Sequence, residues 1–266
     1  MKSENDLRRG IVQVCKLIHQ RGWISSTDGN VSARLPNNRL LITPTGIHKG
    51  FMEERDLIVV DMEGNLIRGT RQPSSEILLH LTCYRERPDI QAVVHAHPTM
   101  CVAFSMAGIT LAKCLLPEVV FTLGAIPTAN YAPPSTQEVA DSIRCHVKEH
   151  DAIILERHGS LTVGKDVFAA YNTLERMEHV AEMTYHARQL GEVRPLEPRQ
   201  IEELQKIGDV HGWTRKKVSV GERCNNCNAC GKLAPERNKG DGARAEAPGV
   251  ERVIAEEVAA ALGGNR

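Results

Sequence analysis

Residues 92–98, which read AVVHAHP, constrain the fold more than any other part of this 266-residue sequence. A short apolar run bounded by proline indicates a buried β-strand, predicted over residues 91–95. Because side chains alternate between the two faces of a strand, His95 and His97 point the same way and can bind one ion. The simpler alternative is two polar residues at the end of a strand.

A third ligand is needed, since catalytic zinc sites commonly use three protein ligands, often imidazoles, and keep one open position. His158 is the best candidate because it follows an apolar strand predicted over residues 152–155, and strand ends often supply site residues. The remaining histidines lack such support and are expected at the surface or as satisfied core residues: His19, His48, His80, His146, His150, His179, His186 and His211.

The rest of residues 1–212 alternates between helix-like and strand-like segments. An amphipathic helix is predicted near the start, where apolar residues recur at helical spacing from Leu7 to Ile18. Further elements follow in this order: strands at 40–43 and 57–61, a hairpin strand at 66–67, a helix beginning at the serines 74–75 and ending before Pro88, the strand at 91–95, a short helix ending at Gly108, the strand at 152–155 and a helix at 167–190. Short links between such elements indicate a layered α/β domain.

The composition changes after this domain. Residues 213–249 contain few large apolar side chains, so we expect a flexible linker that cannot bury enough surface to offset its ordering entropy. Val250, Ile254, Val258 and Leu262 then share one helical face, which predicts an amphipathic C-terminal helix over residues 250–262.

Charge and hydropathy argue against several classes of partner. Lys plus Arg equals Asp plus Glu, 33 each, so we expect neither nucleic acid nor an anionic membrane as a partner. No segment approaches the roughly 20 apolar residues of a membrane span. The first residues, MKSENDLRRG, are too polar for a signal peptide, and five cysteines are scattered singly. These features predict a reducing, cytoplasmic location.

Three polar, glycine- or serine-rich loops occur in the predicted domain, at residues 26–30, 43–46 and 73–76. Backbone N–H groups in turns, hydroxyl groups and a helix N-terminus all favour a phosphate dianion, although each loop alone could be an ordinary turn. Glu76 is predicted two residues inside a helix. It is either a carboxylate favoured by the helix dipole or a general acid/base beside the metal.

Cys224, Cys227 and Cys230 form a second candidate site. Their C-x2-C-x2-C spacing resembles the start of a ferredoxin-type cluster motif, but no fourth cysteine follows. Because they lie in the predicted linker, a second metal or an iron–sulfur cluster completed by an external ligand is the weaker hypothesis.

The strings STDGNVSAR, LITPTGIHKG, PSSEILLH, AVVHAHP and RHGSLTVG occur in this order over most of residues 5–190. Together they resemble the class II aldolase and adducin family, most closely its L-fuculose-1-phosphate aldolases. The resemblance implies a three-layer α/β/α fold with a central, mainly antiparallel sheet. It also implies a homotetramer with active sites at subunit interfaces.

The resemblance implies one Zn²⁺ per subunit, bound by His95, His97 and His158, with Glu76 as the acid/base. The matching phosphate-binding positions are Gly29, Asn30, Thr45, Gly46, Ser74 and Ser75. The implied reaction is reversible cleavage of a ketose 1-phosphate, of the L-fuculose or L-rhamnulose type, to dihydroxyacetone phosphate and lactaldehyde.

The sequence departs from the aldolases at one place. The resemblance to the L-fuculose-1-phosphate aldolases implies a tyrosine from a neighbouring subunit that protonates the aldehyde oxygen. The corresponding residues 113–119, KCLLPEV, contain no tyrosine, and Glu118 is the candidate replacement. Two related reactions stay open, ribulose-phosphate 4-epimerisation and methylthioribulose-phosphate dehydration. A third alternative, a non-enzymatic adducin-like interaction domain, would be marked by loss of the histidine ligands.

The predicted C-terminal helix and its linker resemble the encapsulation peptides that dock enzymes inside bacterial microcompartments. Docking of the apolar face into a groove of a shell protein would place the enzyme inside such a compartment. The alternative is that the helix packs on its own tetramer.

Overall fold

The computed structural model describes residues 2–111 and 115–211. The predictions for Cys224, Cys227 and Cys230, for the linker over residues 213–249 and for the helix over residues 250–262 lie outside this range. The division of the chain into three segments therefore stays a prediction. Within the described residues, no helix is both long and apolar enough to cross a membrane.

The described chain contains eight strands and seven α-helices. The strands are β1 (Asn30–Leu35), β2 (Arg39–Ile42), β3 (Ile58–Asp61), β4 (Leu66–Arg68), β5 (Ala92–Ala96), β6 (Thr128–Ala129), β7 (Ala152–Leu155) and β8 (Gly159–Gly164). The helices are α1 (Glu4–Gln20), α2 (Ile77–Glu86), α3 (Thr99–Met106), α4 (Pro117–Thr122), α5 (Gln137–Val147), α6 (Val167–Leu190) and α7 (Pro198–His211). Two short 3-10 helices lie at Lys49–Phe51 and Glu54–Asp56.

All eight strands form one sheet in the order β4-β3-β2-β1-β5-β8-β7-β6. Every pairing is antiparallel except that of β6 with β7, which is parallel. The mainly antiparallel sheet is therefore confirmed. Strand β5 lies near the centre, between β1 and β8, and its residue His95 is paired with Asn30 on one side and Leu161 on the other.

Alternating side chains of β5 pack into separate cores on the two faces of the sheet. Val94 packs in a cluster with residues of α1 and α6, including Ile11 and Leu174. Val93 packs on the opposite face with residues of α2 and α5, including Leu79. Helices thus cover both faces, which confirms the three-layer α/β/α architecture.

Most sequence-predicted elements are present, including the hairpin of β3 and β4, strand β7 and helix α6. The predicted start of α2 is wrong. The serines 74–75 form a turn in which Ser74 Oγ accepts from the backbone N–H of Glu76 and the Ser74 carbonyl accepts from Ile77, so the helix begins only at Ile77. Glu76 is its N-cap residue and lies outside the first turn.

Strand β2 offers a test of the core. Leu40 is fully buried, whereas Leu66 on β4 is 39% exposed. We expect Leu40→Ala to lower the free energy of unfolding by roughly 2–5 kcal/mol. Leu66→Ala should change the free energy of unfolding by no more than about 0.5 kcal/mol, as is usual for surface positions. Urea unfolding followed by circular dichroism at one protein concentration measures both, and equal losses would contradict the assigned burial.

Candidate metal centre

Four side chains from separate parts of the chain meet at one end of strand β5. Glu76 comes from the N-cap of α2, His95 from β5, His97 from the residues just after it, and His158 from the turn between β7 and β8. One ligand atom from each lies within 4.8 Å of the others. The structure therefore brings together the residues predicted as metal ligands and acid/base.

The short distances in this group run between atoms that could bind a metal ion. His95 Nε2 lies 3.1 Å from Glu76 Oε2, and His158 Nε2 lies 2.9 Å from Glu76 Oε1. His97 Nε2 lies 3.1 Å from His95 Nε2. Two ring nitrogens at this separation repel unless a proton or a cation lies between them, so the arrangement favours a shared positive charge.

Strand β8 determines which nitrogen of His95 faces the centre. His95 Nδ1 lies 2.8 Å from the carbonyl oxygen of Ser160, which can only accept a hydrogen bond. Nδ1 therefore carries the proton, and Nε2 presents its lone pair to the neighbouring imidazole. A backbone carbonyl in this position is the usual way to hold a metal-binding histidine in one tautomer.

The donors fit a divalent cation. Glu76 Oε1 is buried and, although it lies 2.9 Å from His158 Nε2, it makes no well-oriented hydrogen bond with any described residue. Imidazole nitrogens and a carboxylate oxygen are normal ligands of zinc, and an ion at their meeting point would satisfy this oxygen. The structure thus shows a glutamate and three histidines able to bind a metal ion.

The electrostatics of the site favour ionised Glu76 and neutral His97. Burial by itself would raise the pKa of Glu76, but the adjacent imidazoles of His95 and His158 outweigh it and lower that pKa. Burial, together with the charges of the neighbouring histidines, lowers the pKa of His97 to about 3. A neutral imidazole keeps a lone pair for a metal ion.

A glycine makes room for the imidazole rings. A Cβ atom on Gly159 would lie 2.5 Å from the Ala96 carbonyl oxygen and 2.7 Å from Cδ2 of His97. Arg157, immediately before His158 in the preceding turn, has a left-handed backbone conformation with φ 57. The close approach of β8 to the end of β5 therefore depends on a residue without a side chain.

The three predicted phosphate loops lie side by side next to Glu76. Asn30 Nδ2 donates to Ser74 Oγ at 3.1 Å and to Glu76 Oε2 at 3.0 Å. The loop at 43–46 is joined to the segment before Ser74 by the bridge of Pro44 with Pro73 and by a hydrogen bond from Thr45 N to the Gln72 carbonyl. Gly29 and Asn30 are buried, whereas Thr45, Gly46 and Ser75 are exposed and accessible to a ligand.

Glu118 is not part of this group. It lies exposed in the first turn of α4, and its backbone carbonyl accepts from the Thr122 hydroxyl. The four-residue cluster is the metal-capable group found among the described residues, and it does not include Glu118. Its role as an additional acid stays a prediction.

His80 was expected at the surface or as a satisfied core residue, and it is the latter, with a partner for each ring nitrogen; its contact with Asn30 was not anticipated. His80 is fully buried and lies 2.5 Å from Asn30 Oδ1, so it contacts the residue that donates to Glu76. The four-residue spacing from Glu76 was no usable signal, because Glu76 is the N-cap of α2 and the spacing does not connect His80 with Asn30.

The fold and the cluster together define an α/β protein with a metal-capable site beside polar loops. Residues 9–185 match the family described as "Class II Aldolase and Adducin N-terminal domain". The chain belongs to this family, as its motifs indicated.

Named relatives include two kinds of lyase. The L-fuculose phosphate aldolase of Methanococcus maripaludis is 37% identical over 181 residues, which cover 68% of this chain and 97% of the relative. The 3-oxo-tetronate 4-phosphate decarboxylase of Escherichia coli is 31% identical over 210 residues, covering 77% and 97%. A solved structure of an L-fuculose 1-phosphate aldolase superposes with a TM-score of 0.71 at 28% identity, covering 79% of this chain and 98% of the other. These relatives confirm the prediction that the chain belongs to a family of enzymes that break carbon–carbon bonds.

Replacing any one of His95, His97 or His158 by alanine should weaken binding of a divalent metal. Loss of a direct ligand should cost at least the roughly 10–100-fold in affinity that is typical of outer-shell partners. His179→Ala on α6 is the matched control and should bind as tightly as the unchanged protein. Competition titration with a chromogenic chelator measures the affinities, and unchanged binding by the three variants would rule out this centre.

Gly159→Ala should weaken metal binding without replacing a ligand, because the new methyl group overlaps the Ala96 carbonyl oxygen. Gly10→Ala is the control, since its Cβ would have only an ordinary 3.6 Å contact with Phe168. For Gly159→Ala, both the metal content after dialysis and the thermal unfolding temperature should fall. For Gly10→Ala, both should stay at the values of the unchanged protein. Full metal content in Gly159→Ala would show that the close approach is unnecessary.

Proposed function

We propose that the chain is a zinc-dependent aldolase that reversibly cleaves a ketose 1-phosphate to dihydroxyacetone phosphate and an aldehyde. The observation that carries this proposal is that Asn30 joins the cluster of three imidazoles and one largely buried carboxylate to Ser74, in one of three polar loops that lie together beside the cluster. The aldolase relatives support it, and the candidate substrates are L-fuculose 1-phosphate and L-rhamnulose 1-phosphate, with lactaldehyde as the aldehyde.

Zinc is the preferred ion because the ligand set is rich in imidazole. When bound, a divalent ion supplies a Lewis acid that polarises substrate oxygens and stabilises the negative charge formed as the carbon–carbon bond breaks. His95, His97 and His158 would hold it. In this scheme His95 is oriented by the Ser160 carbonyl, and His97 stays neutral at physiological pH.

Glu76 is the residue that would move a proton at carbon. Cleavage leaves a carbanion next to the carbonyl of the triose phosphate, and a proton must be delivered there; in synthesis the same proton must be removed. The Glu76 side chain is only 11% exposed, which limits competition from water. Asn30 Nδ2 fixes the orientation of its Oε2 atom at 3.0 Å.

The phosphate would be bound by Gly29, Asn30, Thr45, Gly46, Ser74 and Ser75. Gly29 has φ +69 and its Cβ position lies 2.6 Å from Ile24 Cγ2, so a side chain there would be strained and crowded. The exposed positions at Thr45, Gly46 and Ser75 leave turns accessible to the dianion.

A second candidate is the decarboxylation of a 3-oxo-tetronate 4-phosphate, favoured by the relative from Escherichia coli. Loss of carbon dioxide from such a compound leaves the same three-carbon phosphate anion as aldol cleavage of a ketose 1-phosphate. The metal ligands, Glu76 and the phosphate loops would serve both reactions. The leaving fragment, an aldehyde or carbon dioxide, distinguishes them.

Assembly and location are further proposals. A homotetramer would bring Glu118 of a neighbouring subunit to the aldehyde oxygen as the additional acid. A shell protein of a bacterial microcompartment would bind the helix predicted over residues 250–262, and the enzyme would otherwise act in the cytoplasm. The adducin-like alternative is disfavoured because all three histidines are present and meet at one point.

The test is a panel of L-fuculose 1-phosphate, L-rhamnulose 1-phosphate and a 3-oxo-tetronate 4-phosphate, followed through release of dihydroxyacetone phosphate. We expect dihydroxyacetone phosphate to be released from a ketose 1-phosphate. This activity should be lost when the metal is removed with a chelator and should return when Zn²⁺ is added. Glu76→Gln should lower kcat by roughly 10²–10⁴-fold, the usual contribution of a general acid/base.

Glu118→Gln tests the additional acid in the same assay.

Carbon dioxide release from the tetronate alone would replace the aldolase proposal by the decarboxylase. A metal-loaded protein that turns over none of the three compounds would refute both.

A further inference from the structure

A buried chain of polar side chains leads from the centre of the protein to Glu76. Tyr84 OH lies 2.9 Å from Ser32 Oγ, and Ser32 Oγ lies 2.6 Å from His80 Nδ1. His80 Nε2 lies 2.5 Å from Asn30 Oδ1, and Asn30 Nδ2 donates to Glu76 Oε2 at 3.0 Å. Each of the first four residues in this chain is at most 2% exposed.

The direction of every hydrogen bond in this chain follows from its end at Glu76. The ionised carboxylate can only accept, so the Asn30 amide presents its NH2 group to Glu76 and its oxygen to His80. His80 must then donate from Nε2 and accept at Nδ1. Ser32 donates to Nδ1 and accepts from the Tyr84 hydroxyl, so every link is satisfied with one polarity.

The protonation state of His80 agrees with this polarity. Burial lowers the pKa of His80 to about 3, so the ring is neutral at physiological pH and has one donor and one acceptor. A neutral Nε2–H tautomer is the form that matches both neighbours. The alternative tautomer would direct a lone pair of His80 at the Asn30 oxygen and leave two buried acceptors facing each other.

The same Asn30 amide also donates to Ser74 Oγ at 3.1 Å. Ser74 Oγ in turn accepts from the backbone N–H of Glu76 at 3.3 Å. The Asn30 amide, whose oxygen is hydrogen-bonded to His80, therefore contacts both the Glu76 carboxylate and Ser74 of a predicted phosphate loop. A flipped Asn30 amide would place its oxygen against the Glu76 carboxylate, which is repulsive.

We propose that His80 is a positioning residue that locks the Asn30 amide so that its NH2 group holds Glu76 and Ser74 in one arrangement. This inference rests on the proposed function for the roles of Glu76 and Ser74. His80 hydrogen-bonds to Ser32 and Asn30 and to none of the predicted metal ligands, and Asn30 belongs to the predicted phosphate loop at residues 26–30. Its effect passes through Asn30.

Two substitutions at His80 separate positioning from packing. The amide of glutamine reaches about as far as Nε2 and can still donate to Asn30, whereas the shorter asparagine amide reaches about as far as Nδ1 and contacts only Ser32. We expect His80→Asn to lower kcat and raise KM together, with a loss in kcat/KM of roughly 10–100-fold, as for other residues that orient site ligands. His80→Gln should retain most of the activity.

A purely structural role predicts a different result. Partial unfolding would lower the apparent kcat in proportion to the folded fraction, leave KM unchanged, and affect both variants according to their thermal stability. Equal losses in His80→Asn and His80→Gln, or an unchanged KM, would overturn the proposal. In the Asn30→Ala background, the change His80→Asn should add little, because its route to Glu76 is already broken. Additive losses would also contradict it.

A measurement on the full-length protein without substrate keeps this inference separate from the proposed function. Long-range ¹H–¹⁵N spectra of protein labelled at histidine should show the His80 proton on Nε2, with the signal assigned by its loss in His80→Gln. A proton on Nδ1 would refute the positioning role even in an active aldolase. A proton on Nε2 supports it even if no ketose 1-phosphate is cleaved.

Discussion

The convergence of lone pairs at the end of β5 is the constraint on which the site depends. His95 Nε2 lies 3.1 Å from both His97 Nε2 and Glu76 Oε2, an arrangement in which the two nitrogens repel unless a positive charge is shared. The surrounding fold must therefore hold these atoms against repulsion. It does so with the Ser160 carbonyl, which fixes the His95 ring, and with Gly159, which lets β8 approach without a side chain. Such preorganisation is expected where a cation completes the centre.

Local patterns in the sequence were sufficient for part of the fold and site. The alternation rule for strands placed His95 and His97 on one face, and the apolar run before His158 identified a strand end. Helix α6 and the hairpin of β3 and β4 followed from periodicity and turn residues. These features depend on neighbours within a few residues, which is the range over which composition and spacing carry information. The mainly antiparallel arrangement came from the family motifs, since spacing does not determine which strands pair.

The features that sequence reasoning missed depend on contacts between distant segments. Strand β8 was not predicted, because its two glycines and few large apolar residues give a weak strand signal. The start of α2 was misplaced because Ser74 makes its hydrogen bonds as a turn, an alternative that competes with the helix. His80 could be related to Asn30 only after β1 had been paired beside β5 and α2 packed on that face, contacts that span 50 residues.

The register in which β5 pairs with β1 and β8 also determines where His95 lies relative to the other residues of the site. His95 lies opposite Asn30 on one side and Leu161 on the other, so both neighbours set its height in the sheet. A slip of a single residue would turn His95 towards the core formed with α1 and α6, away from Glu76. Misregistered chains would then lack the metal-capable group altogether. If the proposed centre binds its ion, metal bound per chain would count the molecules whose central strands have paired in the correct register, and so would report on the quality of folding as well as on the site.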